Sequence, residues 1–397
     1  MLPICIVSAI LLACLARSEE FDYIVVGEGT SGIPLAVRLA EYWNVALIEA
    51  GVRYEESYPL PKIPGADILP LGSRPGTSNP ADWGFVTEPF PGANGRALHI
   101  SRGKCLGGSS AFNFMIYQRP TKQSLDLCAE KVNDTSYQFE NVLPFYQRSV
   151  EFTRQNTVAR FENASVLYKG DAFVPVVSPL AETSKGPLAS SASDFLAWEK
   201  IPYPLRRHFS EETLEVLSQF PVDWPEVEYI SAPGFIGNVS NLKADQPDDG
   251  YHYASIIGVL IASTSHQEVV VAMFKRMREV FASEAMGPVL LGDEYLPRLQ
   301  VQTDEEKLEY IREIVMTLWH PSRTCKMGTS DDPDVVVDSR CRVFEVNRPR
   351  VVDASAIPFL PPGHPQSTCY MLTEKIAHDI LQNDAGLQEN IRLDLRP

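Results

Sequence analysis

The sequence predicts an α/β fold, and three observations carry the prediction: an apolar β-branched run near the front, a glycine-rich turn after it, and a second apolar run ending on an acid. A parallel strand covered on both faces reads as a continuous apolar segment rather than an alternating one. Phe21 to Gly27, FDYIVVG, reads that way. It leads into Gly27-Glu28-Gly29-Thr30-Ser31-Gly32, a G-x-G-x-x-G turn, and then into a helix expected to bury Ile33, Ala36, Val37 and Ala40 on one face. Asn44 to Ile48, NVALI, is the second strand, and Glu49 follows it. Strand, turn, helix, strand and terminal acid in this order make a Rossmann-type dinucleotide unit, where a glycine turn alone would be weak. Gly27 permits the tight turn, Gly29 lets backbone approach a pyrophosphate, and Gly32 lets the helix pack on the strand. Amides near Thr30 and Ser31 present the positive helix end to phosphate. The Glu49 carboxylate suits a ribose diol and repels a 2′-phosphate. The turn does not distinguish FAD from NAD.

Length and charge narrow the class. The chain has 397 residues, of which 44% are hydrophobic and 22% charged, enough for a large core in two domains or more. A net charge of -16, from 35 Lys+Arg against 51 Asp+Glu, repels phosphate backbones and argues against a nucleic-acid partner. Met1 to Ala16, MLPICIVSAILLACLA, is too short to span a bilayer and resembles a signal-peptide core. Residues 1–18 are therefore expected to be a cleaved signal, and the chain a secreted one with no membrane span. Asn133, Asn163 and Asn238 head Asn-x-Ser/Thr sequons and are candidate glycosylation sites. Cys105, Cys128, Cys325, Cys341 and Cys369 remain after the signal, an odd number without Cys-x-x-Cys or metal-ligand spacing, so no metal site is expected.

A second constellation runs from Arg102 to Arg119, RGKCLGGSSAFNFMIYQR. Its glycine pair followed by two hydroxyl residues gives a backbone that can lie against a flat ligand. This run resembles the first signature of the glucose–methanol–choline (GMC) oxidoreductases, FAD-dependent alcohol oxidases and dehydrogenases. The resemblance implies FAD as cofactor, with Ser109 and Asn113 beside it and the backbone of Asn113, Phe114, Met115 and Ile116 along the flavin edge. It also places Ala50, next to Glu49, among the cofactor contacts.

The last quarter extends the resemblance. Trp319-His320-Pro321-Ser322-Arg323-Thr324-Cys325 is similar to the family's histidine segment, and Asp353-Ala354-Ser355 to its return to the flavin. Between them Val335–Val337, Arg342–Val346 and Arg350–Asp353 read as short strands. Pro361-Pro362-Gly363-His364-Pro365-Gln366 then opens a helix with Cys369, Leu372, Ile376 and Ile380 on one face, Pro365 suiting its first turn. By resemblance Ala354, Pro365 and Gln366 join the cofactor site. His320 and His364 are the catalytic candidates, since alcohol oxidation needs a proton acceptor titrating near neutrality. The resemblance implies that His320 is the base and His364 the group that orients the hydroxyl. Taken singly, either histidine is more simply structural, as His99, His208, His252, His266 and His378 are taken to be.

The chain is shorter than ordinary members of that family, and two joints read as deletions, near Ser178–Ser184 and near Ile261–His266. Lost sheet strands would bare edges and uncover core. The expected organisation is an FAD domain from residues 19–182 and 320–397 around a reduced substrate domain, 183–319, with an antiparallel sheet and a helix near Glu268–Phe281. The resemblance implies a secreted flavoenzyme of the fungal aryl-alcohol-oxidase and patulin-synthase type. Its substrate is then a small primary or benzylic alcohol, in fungal secondary metabolism, with oxygen or another acceptor taking the electrons. The alternatives are a catalytically impaired relative lacking essential segments, and a lyase acting on cyanohydrins.

Overall fold

The structure is a computed structural model that describes residues 19–57, 72–77, 80–151, 195–232, 234–237, 247–251, 253–262 and 267–384. The expected signal, Asn163, Asn238, the first deletion joint and most of the second lie outside the described residues.

Strands β1 (Tyr23–Val26) and β2 (Val45–Ile48) pair in parallel, with helix α1 (Gly32–Ala40) between them in sequence. The crossover through a helix is what a parallel pair requires. Their inner face, led by Val25 and Tyr23, packs toward a core shared with the helices. That core is built from α1, α3 (Lys122–Lys131), α4 (Phe139–Arg148) and the long α9 (Gln366–Asp384), while α2 (Tyr54–Ser57), α5 (Tyr203–Arg206), α6 (Glu211–Ser218) and α8 (Asp304–Ile314) contribute none of its buried residues. Leu39, Leu125, Val142, Tyr146, Leu372, Ile376 and Ile380 fill it. The expected stripe Cys369, Leu372, Ile376 and Ile380 is buried throughout. Glu374 is buried on the same helix because two arginines neutralise it. Arg38 Nη2 from α1 donates at 2.9 Å, and Arg148 Nε from α4 lies at 3.2 Å.

Two expectations about the front unit are corrected. The buried positions of α1 are Ala36 and Leu39, while Val37 is 57% exposed. This helix is apolar on more than one side, and its contact with α9 selects the Leu39 side. Nor is β1 buried on both faces: Ile24 is 63% and Val26 79% exposed. The register pairs Ile24 with Ala46 and Val26 with Ile48, so one whole face of the parallel pair, apolar at every position, meets solvent. Among the described residues no third strand extends this sheet.

After the short antiparallel pair β3 (Phe85–Val86) and β4 (His99–Ile100), a second layer holds an antiparallel sheet of β5 (Phe195–Glu199), β6 (Val227–Ala232) and β7 (Ser255–Leu260), with β6 central. Helix α7 (Gln267–Phe281) covers it through Val269, Ala272 and Met273 against Val227, Tyr229 and Leu260. The short strands expected between residues 335 and 353 are single bridges instead, Met327 with Val337, Val337 with Val343, and Arg342 with Arg350. Left-handed backbone at Cys341, Glu345 and Arg348 turns the chain too tightly for longer ladders.

Candidate active site

Two glycine loops form the floor of the site. A Cβ on Gly32 would fall on the carbonyl oxygen of Gly27, and one on Gly108, where φ is 54°, would lie 2.7 Å from the Cα of Gly29. Only glycine allows this double approach. The loops are tied by Gly107 N–H donating to Glu28 O at 2.8 Å. A polar chain then joins three elements. Thr30 Oγ1 lies 2.6 Å from Ser110 Oγ, Gln366 Nε2 donates to Ser110 Oγ at 3.2 Å, and Asn113 Nδ2 donates to Gln366 Oε1 at 3.5 Å. The starts of α1 and α9 thus meet at the short 3-10 turn Gly108–Phe112. Ser109, expected beside the cofactor, accepts from Gly103 N–H at 3.1 Å, and the neighbouring Ser110 joins the polar chain.

These residues fit FAD. Pro34 has no N–H, and Ile33 and Leu35 already donate to Gly29 O and Ser31 O. The donors for a diphosphate are therefore the N–H groups of Thr30, Ser31 and Gly32, which donate to no backbone carbonyl among the described residues. Beside it the glycine loops keep a surface free of side chains where a Cβ would collide. At the ribose end, each Glu49 oxygen accepts one backbone N–H, from Glu28 and from Gly51, both at 2.8 Å, and keeps a lone pair for a diol. The neighbouring Ala50 is exposed. Pro365 sits one residue before α9, its carbonyl accepting Cys369 N–H at 2.9 Å, so it is the cap rather than the first helical residue.

The structure brings His320 and His364 together although 43 residues separate them in sequence. Their rings meet edge to face with centroids 5.0 Å apart. His364 is buried, and its Nε2 lies 3.1 Å from Oε1 of Glu228, a fully buried carboxylate on β6. His320 stands on a segment strapped to the 3-10 turn Ala354–Ala356, since Cys325 N–H donates to Ser355 O and Met327 N–H to Ala356 O, both at 3.0 Å. Ala354 accepts Arg323 N–H in the same strap. Burial, then the proximity of His364 and of Arg102, pushes the His320 imidazole down to about 3. The ring is therefore neutral near pH 7 with its lone pair free, but it titrates well below the near-neutral range expected of it from the sequence and so takes a proton less readily than an ordinary histidine.

The walls are aromatic and strained. Phe114 stacks on Trp319 with centroids 5.8 Å apart, and both Trp319 (φ 56°) and Met115 (φ 53°) are left-handed. Met115 N–H donates to Asn113 Oδ1 at 2.6 Å, and Ile116 is buried beneath. Asn133 lies away from this site, exposed and left-handed just beyond α3. No group of three or more His, Cys, Asp or Glu poised for a metal occurs among the described residues, and no described helix is long and apolar enough to cross a membrane.

Sequence reasoning missed Glu228, Arg102 and Ser110 as site residues. Glu228 had a signal: a carboxylate in the apolar strand run VEYISA, on the central strand of a sheet, must find a buried partner. Ser110 and Arg102 lay inside a run already singled out, and only geometry separates Ser110 from Ser109.

Comparison with known proteins agrees with the fold. The GMC oxidoreductase N-terminal domain profile matches residues 21–197 and the C-terminal one residues 242–373. Patulin synthase of Penicillium expansum is 31% identical over 580 aligned positions, covering 92% of each chain. Those positions outnumber the 397 residues present here, so the relative carries internal stretches that this chain lacks. A dehydrogenase of Emericella nidulans is 28% identical, covering 91% of this chain and 93% of its own. Among solved structures, formate oxidase of Aspergillus oryzae superposes with a TM-score of 0.75 at 16% identity, over 94% of this chain and 99% of that one. A fungal aryl-alcohol oxidase does so at 0.63, also 16% identical, over 93% and 100%. The chain belongs to the GMC oxidoreductase family, whose cofactor is FAD.

Proposed function

We propose that this chain oxidises a primary or benzylic alcohol to an aldehyde in fungal secondary metabolism. The observation that carries the reading is the His320–His364 pair, two imidazoles meeting edge to face with one of them held neutral. His320 takes the hydroxyl proton, and His364, anchored through Glu228, orients the hydroxyl oxygen. FAD, when bound, supplies the hydride acceptor at flavin N5. The stacked Phe114–Trp319 wall supports a flat substrate. Oxygen or another acceptor removes the electrons. Secretion belongs to the same reading, supported by the apolar stretch at residues 1–16 and the exposed Asn133 sequon.

A catalytically impaired relative is the second reading, favoured by the bare apolar face at Ile24, Val26 and Ile48. The test is His320→Ala in the FAD-loaded protein, with flavin reduction followed anaerobically. The expected loss is about 10²-fold or more in rate with FAD still bound. Reduction at the wild-type rate would remove His320 from the mechanism.

A further inference from the structure

Arg102 makes no ion pair among the described residues, although it stands beside the catalytic candidates and is half-buried. Its Nη1 donates instead to a peptide carbonyl, Trp319 O, at 2.9 Å. Trp319 immediately precedes His320, and its φ of 56° is one that bulky side chains rarely adopt. Two more contacts bear on the same residue: Trp319 N–H donates to Thr317 Oγ1 at 3.0 Å, and Phe114 stacks on the indole. Arg102 is itself pinned. Its N–H donates to Asp82 Oδ1 at 3.2 Å, and its carbonyl accepts Trp83 N–H at 2.9 Å. Asp82 is fixed in turn by the Ser101 hydroxyl at 2.9 Å and by His99 Nε2 at 3.0 Å, with both the Asp82 and His99 side chains buried.

We propose that Arg102 is a positioning residue, clamping the left-handed Trp319 peptide so that the adjoining His320 ring is presented in one orientation. A guanidinium suits this task, because its fork is planar and stays charged at any working pH. Its charge has a second effect. It opposes a proton on His320, as His364 does, while Asp82, Asp353 and the Cys369 thiol lie near the guanidinium and Glu228 pairs with His364. The clamp rests on the reading of His320 as the base only for its catalytic consequence, and its structural half stands without it.

The experiment compares wild type, Arg102→Ala and Arg102→Lys as full chains with FAD added. Hydrogen exchange is read by mass spectrometry, and flavin reduction by benzyl alcohol is followed across pH. In Arg102→Ala, amides in 317–325 should exchange about tenfold faster or more, with α7 and α9 unchanged. Arg102→Lys, which keeps a cationic donor, should recover part of that protection. Flavin reduction in Arg102→Ala should fall by roughly 10- to 100-fold, chiefly in kcat, and added guanidinium ion should restore part of it. The acid limb of its pH profile should move to higher pH. Unchanged exchange at 317–325 would overturn the clamp. Faster exchange spread across the whole domain would overturn it too, leaving a packing role alone. If benzyl alcohol fails to reduce the wild type, the functional reading fails while the exchange data still decide the clamp.

Discussion

Replacing Glu228 should separate the anchoring of His364 from the stability of the fold. The carboxylate is fully buried, one oxygen lying 3.1 Å from His364 Nε2 and the other, Oε2, without a hydrogen-bond partner among the described residues. A hydrogen bond involving a charged group contributes about 1.5–3 kcal/mol. If the orientation of His364 matters in the transition state, losing that energy lowers the rate about 10- to 150-fold. Stability responds less. Glu228→Leu leaves His364 Nε2 unpaired, a cost of about 1–3 kcal/mol, but also removes a half-satisfied buried carboxylate, which offsets much of it. Glu228→Gln keeps an oxygen acceptor toward His364 and should lose only several-fold in rate, about 1 kcal/mol. The assay is anaerobic stopped-flow reduction of the FAD-loaded variants at saturating alcohol, alongside thermal unfolding. Glu228→Leu reducing its flavin within twofold of wild type would refute the anchoring role.

Two further outcomes follow from the same structure. The folded His320 ring binds its proton only near pH 3, whereas an unfolded histidine does so near 6.5. Its contribution is thus complete above pH 6.5 and is lost as pH falls toward 3. The drop is at most roughly 5 kcal/mol and nearer 2–3 given the ring's partial exposure. Urea unfolding of wild type and His320→Gln at pH 7 and pH 4.5 should show the variant losing less on acidification, and equal losses would contradict it. Paired Ile24→Thr and Val26→Thr substitutions should leave the unfolding midpoint nearly unchanged, since both side chains are largely exposed, and should reduce self-association in light scattering. A large fall in the midpoint would show that the face is covered in solution.

The front of the fold was legible because each step of Tyr23–Glu49 has a local cause: an apolar strand, a glycine turn that no other residue permits, a helix start and a terminal acid. His320 and His364 could be named because each sits in a motif. Their meeting could not be read, because it depends on how the Ala354–Ala356 strap and α9 return to the loop at Gly108. Glu228 stayed hidden for the same reason, lying on a strand more than a hundred residues from its partner. The exposed side of β1 and β2 shows the converse error. An apolar run signals that a strand was suited to burial on both faces, and it does not reveal whether this chain supplies the cover. The failed strands near Val337 and Val343 failed on backbone, where left-handed residues outweighed β propensity.

The proposed function requires this shortened chain to bind FAD and to pass hydride to it from an alcohol. The most direct measurement is the visible spectrum of the purified protein, recorded anaerobically before and after adding a benzylic alcohol. A flavin spectrum that bleaches is the expected result. A protein that stays colourless after incubation with FAD would contradict the claim, and a bound flavin that no alcohol bleaches would contradict its second half.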